Sequence, residues 1–132
     1  MANKIKFLGY VDRIDSTDQG IRLIDYKTGM VLQNDLNISD FNQLTKKHKA
    51  LQLFFYALLW NNSIIKTENL TCQIVSLKNT YQPKLNLTFK KKDCIDNEMV
   101  SNYSNWLINF IEEIKNTKFF KHKMDSSYCE IC

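Results

Sequence analysis

Apolar residues, chiefly Ile, Leu, Val, Phe and Tyr, dominate residues 5–15 and 21–27 with polar ones interspersed, so both segments predict strands. Between them Ser16-Thr17-Asp18-Gln19-Gly20 is turn chemistry, which makes the pair a tight hairpin. A long polar stretch, residues 30–45, follows as a loop of the kind that binds or gates substrate. Residues 46–61 then read as a helix that is apolar almost all round through Leu51, Leu53, Phe54, Phe55, Ala57, Leu58, Leu59 and Trp60, so it is expected to lie buried against a sheet. Segments 70–77 and 85–89 predict two further strands joined in hairpin fashion through residues 78–84. A last helix over 95–116 sets Ile95, Met99, Tyr103, Trp106, Phe110 and Ile114 along one stripe, a core-packing pattern. The order of elements predicts an α/β fold with a mixed central sheet flanked by helices, in one domain over residues 1–132 with a tail from about 118 to 132.

The hairpin carries the chemistry. If Ser16 pairs with Ile21 around a four-residue loop, Asp12 falls opposite Asp25, and the strand period places Lys27 on the same side. Two bare carboxylates at cross-strand distance repel by about 3 kcal/mol at an effective dielectric of 20. A divalent cation removes that repulsion, and Mg²⁺ takes hard oxygen ligands: one or two carboxylates, completed by waters and substrate phosphate oxygens. The ammonium of Lys27 can then counter charge developing on a phosphate or orient the attacking water.

Gly9-Tyr10-Val11-Asp12-Arg13-Ile14-Asp15 and Ile24-Asp25-Tyr26-Lys27-Thr28-Gly29, with Gln52 and Tyr56 further on, resemble the signature of the PD-(D/E)XK nuclease superfamily, most closely its RecB-like exonuclease domains associated with helicases. The resemblance implies a restriction-endonuclease-like core and metal-dependent hydrolysis of DNA phosphodiester bonds in repair or recombination. It implies Asp12 and Asp25 as ligands of Mg²⁺ or Mn²⁺, the backbone carbonyl of Tyr26 as a further ligand, and Lys27 as the catalytic lysine. Gln52 and Tyr56 match a Gln-x-x-x-Tyr pair that lies near the active site and the DNA, and a helicase domain or subunit becomes a candidate partner. Taken without the resemblance, the same two residues are a buried Gln and Tyr satisfying neighbouring backbone groups. Family members also place a helix with an acidic residue or histidine upstream of the hairpin. Only eleven residues precede Asp12, so a fragment lacking that helix is expected.

Cys129-Glu130-Ile131-Cys132 resembles the ending of those RecB-like nucleases that hold an iron–sulfur cluster, but two thiolates do not make a cluster, and Cys72 and Cys94 stand elsewhere. A cluster is therefore expected only in a longer parent protein. Net charge of +4 favours polyanionic partners mildly. The excess is concentrated at Lys46, Lys47 and Lys49, at Lys90, Lys91 and Lys92, and at Lys118, Lys121 and Lys123. Such runs are ordinarily solvated faces, and beside a metal-binding hairpin they are also natural phosphate contacts. Asp15 is expected to pair with Arg22 at the rim and His48 to face solvent. With no apolar run long enough for a span and no signal-peptide pattern, the expected compartment is cytoplasm, with no membrane association. Two readings stand beside the nuclease: a catalytically inactive nucleic-acid-binding module of a larger repair complex, and a hairpin whose carboxylates serve a structural metal or ion pair.

Overall fold

The computed structural model describes residues 5–63 and 69–120. All of the predicted tail but residues 118–120, including Lys121, His122, Lys123, Cys129 and Cys132, lies outside the described residues.

Strands β1 (Arg13–Thr17) and β2 (Gly20–Lys27) form the antiparallel hairpin, in the register Ser16 to Ile21 that the turn chemistry predicts. Thr17 also pairs with Gly20, so the loop is two residues and not four. Strand β1 is shorter than predicted, because residues 5–12 leave the sheet to run across the first helix, where Phe7 meets Phe55 edge-to-face at 5.5 Å. The long loop over 30–45 is mostly structured, holding 3-10 helices at Gln33–Asp35 and Phe41–Thr45 around a short strand β3 (Asn37–Ile38). Helix α1 (His48–Asn61) follows and returns the chain to β4 (Leu70–Ser76), which pairs parallel to β2.

The predicted strand over 85–89 divides into β5 (Lys84–Asn86), antiparallel to β4, and β6 (Thr88–Phe89), which leaves the main sheet to pair parallel with β3. The break falls at Leu87, whose N–H donates to the Cys72 carbonyl while its side chain is fully buried. Strand β7 (Cys94–Ile95) pairs with the start of β4, so Cys94 sits in a strand and not at a helix start. The main sheet therefore runs β1-β2-β4-β5 with β7 beside β4. This mixed sheet with flanking helices is the restriction-endonuclease-like α/β architecture.

Helix α2 (Asn97–Asn116) begins two residues later than predicted, where the Asp96 carboxylate caps it by accepting from the Met99 N–H at 2.8 Å. Its inner face holds Val100, Tyr103 and Leu107, with Met99, Trp106 and Ile111 at the margins, while Ile114 is exposed. The predicted stripe lies slightly off that face, because Ile95 belongs to β7 and its position adds nothing to the helix. An aromatic chain, Phe41 on Phe89 at 4.6 Å, Phe54 on Tyr103 at 5.4 Å and Trp106 on Phe110 at 5.2 Å, joins the 3-10 helix Phe41–Thr45 to both helices. Among the described residues no helix is long and apolar enough to cross a membrane.

Two turns carry unusual backbone. Gly20 has φ +125°, and a Cβ there would collide with the Asn69 carbonyl oxygen that accepts from Ile21 N–H at 2.8 Å. Lys90 and Lys91 occupy the two central positions of the turn that joins Phe89 to Lys92, with φ of 49° and 69°. That left-handed geometry suits Asn-Gly and costs an ordinary side chain about 1–2 kcal/mol per residue.

Gly20→Ala should lower the stability of the domain by at least about 2 kcal/mol, read as a reduced urea midpoint, because the strain and the clash act together; an unchanged midpoint would contradict this account of the turn. Burial also pushes the Cys72 thiol and the Tyr103 phenol far above their ordinary values. Both groups are kept neutral by the fold, so their contribution is fully present below the unfolded-state values and is lost as pH rises beyond them. The urea midpoint should accordingly fall between pH 8 and strongly alkaline solution, above the ordinary thiol value of 9.0 and phenol value of 10.0; a flat profile would count against it.

Candidate active site

The alternation of β2 sends Leu23, Asp25 and Lys27 to the face covered by α1. Asp25 is 3% exposed, in the middle of the sheet between β1 and β4. A carboxylate taken that far out of water needs a partner. Lys27 provides it, with Nζ 2.7 Å from Asp25 Oδ2. The ammonium also donates to Gln52 Oε1 at 2.8 Å, and Gln52 Nε2 donates to the Tyr56 hydroxyl at 2.7 Å. Tyr56 in turn donates to Asp25 Oδ1 at 3.3 Å, closing a ring of four side chains. Gln52 and Tyr56 reach Asp25 and Lys27 together because four residues make about one helical turn, which stacks them on one flank of α1.

Asp12 enters from beyond the end of β1. Continuing the hairpin register one step past Arg13 and Ile24 sets it across from Asp25. Its Oδ2 accepts the Tyr26 N–H at 2.8 Å, so the side chain supplies the acceptor that the ended strand no longer offers. In the parallel ladder Lys27 directs its carbonyl to the Leu77 N–H; Tyr26, one residue earlier, therefore turns both its main-chain groups towards the β1 side. The Tyr26 carbonyl thus points to the place where Asp12 stands. Burial pushes the Tyr56 phenol above its ordinary value, and the Asp25 and Asp12 carboxylates push the same way against donation from Gln52. Both acids are therefore close enough to act on one hydroxyl.

The structure brings together Asp12, Asp25, Tyr26, Lys27, Gln52 and Tyr56. Cys129 and Cys132 lie outside the described residues. Asp15 pairs with Arg13 at 2.6 Å and not with Arg22, since residues two apart on a strand share a face and Arg13 reaches Asp15 along β1 itself. His48 is exposed, as expected. Sequence reasoning missed the support beneath the site. Gly9 lies against α1, where a Cβ would stand 2.8 Å from Leu59 Cδ1 and 3.4 Å from the Tyr56 ring, so the motif glycine lets the approach to Asp12 pass under the helix. Ser76 donates to the Gly29 carbonyl at 2.8 Å, and Asn79 donates to the Val31 carbonyl at 2.7 Å, fixing the segment that leaves Lys27. Only a Ser-x-x-Asn pattern at the end of a strand hints at this in the sequence.

The donor set fits a hard dication. Asp25 Oδ2 is buried and receives no hydrogen bond, meeting Lys27 as an ion pair only, so it retains lone pairs for a cation. Asp12, which holds the Tyr26 N–H, and the Tyr26 carbonyl are further oxygen donors of the hairpin, the chemistry Mg²⁺ and Mn²⁺ prefer. Among the described residues, no group of three or more acidic, histidine or cysteine side chains converges, so two carboxylates are the acidic share of such a shell.

Neither the curated proteins nor the solved structures contain a match to the chain. The family comparison does, covering nearly the whole length: residues 2–132 match the model of the PD-(D/E)XK nuclease superfamily. The chain belongs to the PD-(D/E)XK nuclease superfamily.

Proposed function

We propose that the chain is a magnesium- or manganese-dependent DNA exonuclease domain of the RecB-like kind, acting in repair or recombination beside a helicase domain or subunit. The whole chain, residues 1–132, forms one such domain in this reading, and it works in the cytoplasm. The observation that carries it is the closed ring of Asp25, Lys27, Gln52 and Tyr56, in which the buried Asp25 Oδ2 meets only the Lys27 ammonium. A structural ion pair would need neither the second acid nor the amide that holds the lysine.

Asp12, Asp25 and the Tyr26 carbonyl would hold the cation, which when bound supplies Lewis-acid charge to the scissile phosphate. Lys27 keeps 30% of its side chain exposed, donates one N–H to Gln52 and meets Asp25 as an ion pair. The part-exposed ammonium is placed to counter charge building on a phosphate oxygen as water attacks in line. Gln52 fixes where that ammonium stands and so acts as a positioning residue. Tyr56 keeps its proton across the neutral and mildly alkaline range and holds Asp25 Oδ1 as a donor, so Oδ2 is left to Lys27 and a cation.

A second reading, a nucleic-acid-binding module without catalysis, is favoured by one observation: among the described residues no third acid, histidine or cysteine joins Asp12 and Asp25.

Asp25→Asn should lower metal-dependent cleavage of labelled DNA by roughly 10²–10³-fold or more, and Lys27→Gln by a similar factor. Equal cleavage by the mutant and the unaltered protein would refute the catalytic assignment, whereas absent cleavage with retained DNA binding in both would support the module. Gln52→Ala should cost about 10–100-fold, the usual scale for a residue that orients a catalytic group. Apart from activity, Mn²⁺ at 100 times its Kd should stabilise the protein by about 2.7 kcal/mol in thermal melts. The gain should vanish in Asp12→Asn, and an identical gain in that variant would place the cation elsewhere.

A further inference from the structure

A groove of about 1040 Å³ runs along the β5 edge, between that strand and the segment holding β3 and the two 3-10 helices. Its charged lining is Lys47, Lys84, Lys90 and Lys91 against the single carboxylate of Asp93. Lys47 is committed to the fold, donating to the Asn34 and Asn37 carbonyls at 2.7 Å each, and Asp93 is held by Asn86. The rest of the lining is mainly Asn, Gln, Ser and Thr, with no aromatic ring among the lining residues. Such a wall gives a base nothing to stack on and gives phosphate oxygens both ammonium and amide donors.

Two further observations point to a ligand. Lys90 and Lys91 both hold left-handed backbone conformations at a two-residue turn where Asn-Gly would be relaxed, so the turn carries strain in order to present lysines. The Lys90 ammonium is held over the Phe89 ring, 5.5 Å from its centre, and that ring is itself stacked on Phe41. The groove also opens at the same end of the sheet as the candidate active site. Tyr26 pairs with Val75 and Val75 with Lys84, which sets Lys84 two strands from Tyr26, about 10 Å at the usual strand spacing. Strand alternation puts Lys84 on the sheet face opposite Asp25 and Lys27, so a nucleic-acid chain engaging both crosses the end of the sheet. Measured along a duplex axis, that distance spans about three phosphates of one strand.

We propose that this groove binds the sugar-phosphate backbone of the nucleic acid, without regard to base sequence, through Lys84, Lys90 and Lys91, and so carries the strand beyond the site of cleavage. The inference rests on the nucleic-acid substrate of the reading above and deepens it by placing a second contact region.

The test is fluorescence anisotropy of a short labelled duplex of mixed sequence, titrated over a salt series with chelator present so that no cleavage intervenes. The variant Lys90→Asn/Lys91→Gly replaces the strained pair with the residues the turn prefers. It should melt at or above the temperature of the unaltered protein while binding several-fold more weakly, and its slope of log K against log salt should be shallower by roughly 0.9 for each lysine removed. Lys84→Gln, at an exposed strand position, should also weaken binding and flatten the slope by roughly 0.9, and carries the test alone if the double variant does not fold. Unchanged affinity and slope in a folded variant, or binding that depends on base sequence, would overturn the proposal. Cleavage by Asp25→Asn is a separate assay, so loss of the nuclease reading and loss of the groove reading give different results.

Discussion

Everything at this site depends on keeping a carboxylate charged where water does not reach it. Asp25 lies between two strands and under a helix, and its charge is tolerable there because Lys27 meets it at 2.7 Å. Removing one member of such a pair leaves the other buried alone, at a cost of about 3–5 kcal/mol. Neither side chain could be held so well by strand geometry alone. The amide of Gln52 and the hydroxyl of Tyr56 take up the directions the ion pair leaves open, which is why a helix otherwise apolar over most of its surface carries two polar residues one turn apart. The surrounding apolar core, Leu23, Leu53, Ala57 and Cys72 among it, lowers the local dielectric and strengthens both the attraction and the penalty for disturbing it.

Much of this was legible in the sequence because it is local. Turn chemistry over residues 16–20 specifies the hairpin register, the strand period specifies the common side of Asp25 and Lys27, and spacing by four specifies the stacking of Gln52 and Tyr56. What could not be read depends on contacts far apart in the chain. Residues 5–12 have a strand pattern, yet they leave β1 because their apolar side chains find Phe55 and Leu59 on α1. Residues 85–89 alternate apolar and polar like one strand, yet β6 departs to meet β3, a partner about fifty residues earlier. Asp15 had two arginines in reach, and the choice of Arg13 over Arg22 is a matter of rotamers, which no pattern encodes. The strain at Lys90 and Lys91 was equally hidden, since lysine is the last residue that a left-handed turn would suggest.

The site and the groove are built by opposite physical means. At Asp25 a charge is withdrawn from solvent and matched atom by atom, an arrangement that tolerates no change of length or polarity. Along β5 the charges stay in water, spaced by the strand and the turn, and act as a field in which the individual position of each ammonium matters less.

The parallel pairing of β2 with β4 has a consequence for the life of the chain before it is complete. The hairpin carrying Asp12, Asp25 and Lys27 emerges from the ribosome first, but the strand that walls in Asp25 is made only after all of α1 has been synthesised. Until then the acids and the ammonium are solvated, Gln52 and Tyr56 have nothing to close upon, and a pairing between distant segments is slow to form. The same topology that assembles the ring of Asp25, Lys27, Gln52 and Tyr56 therefore withholds it from a nascent or truncated polypeptide until β4 is in place.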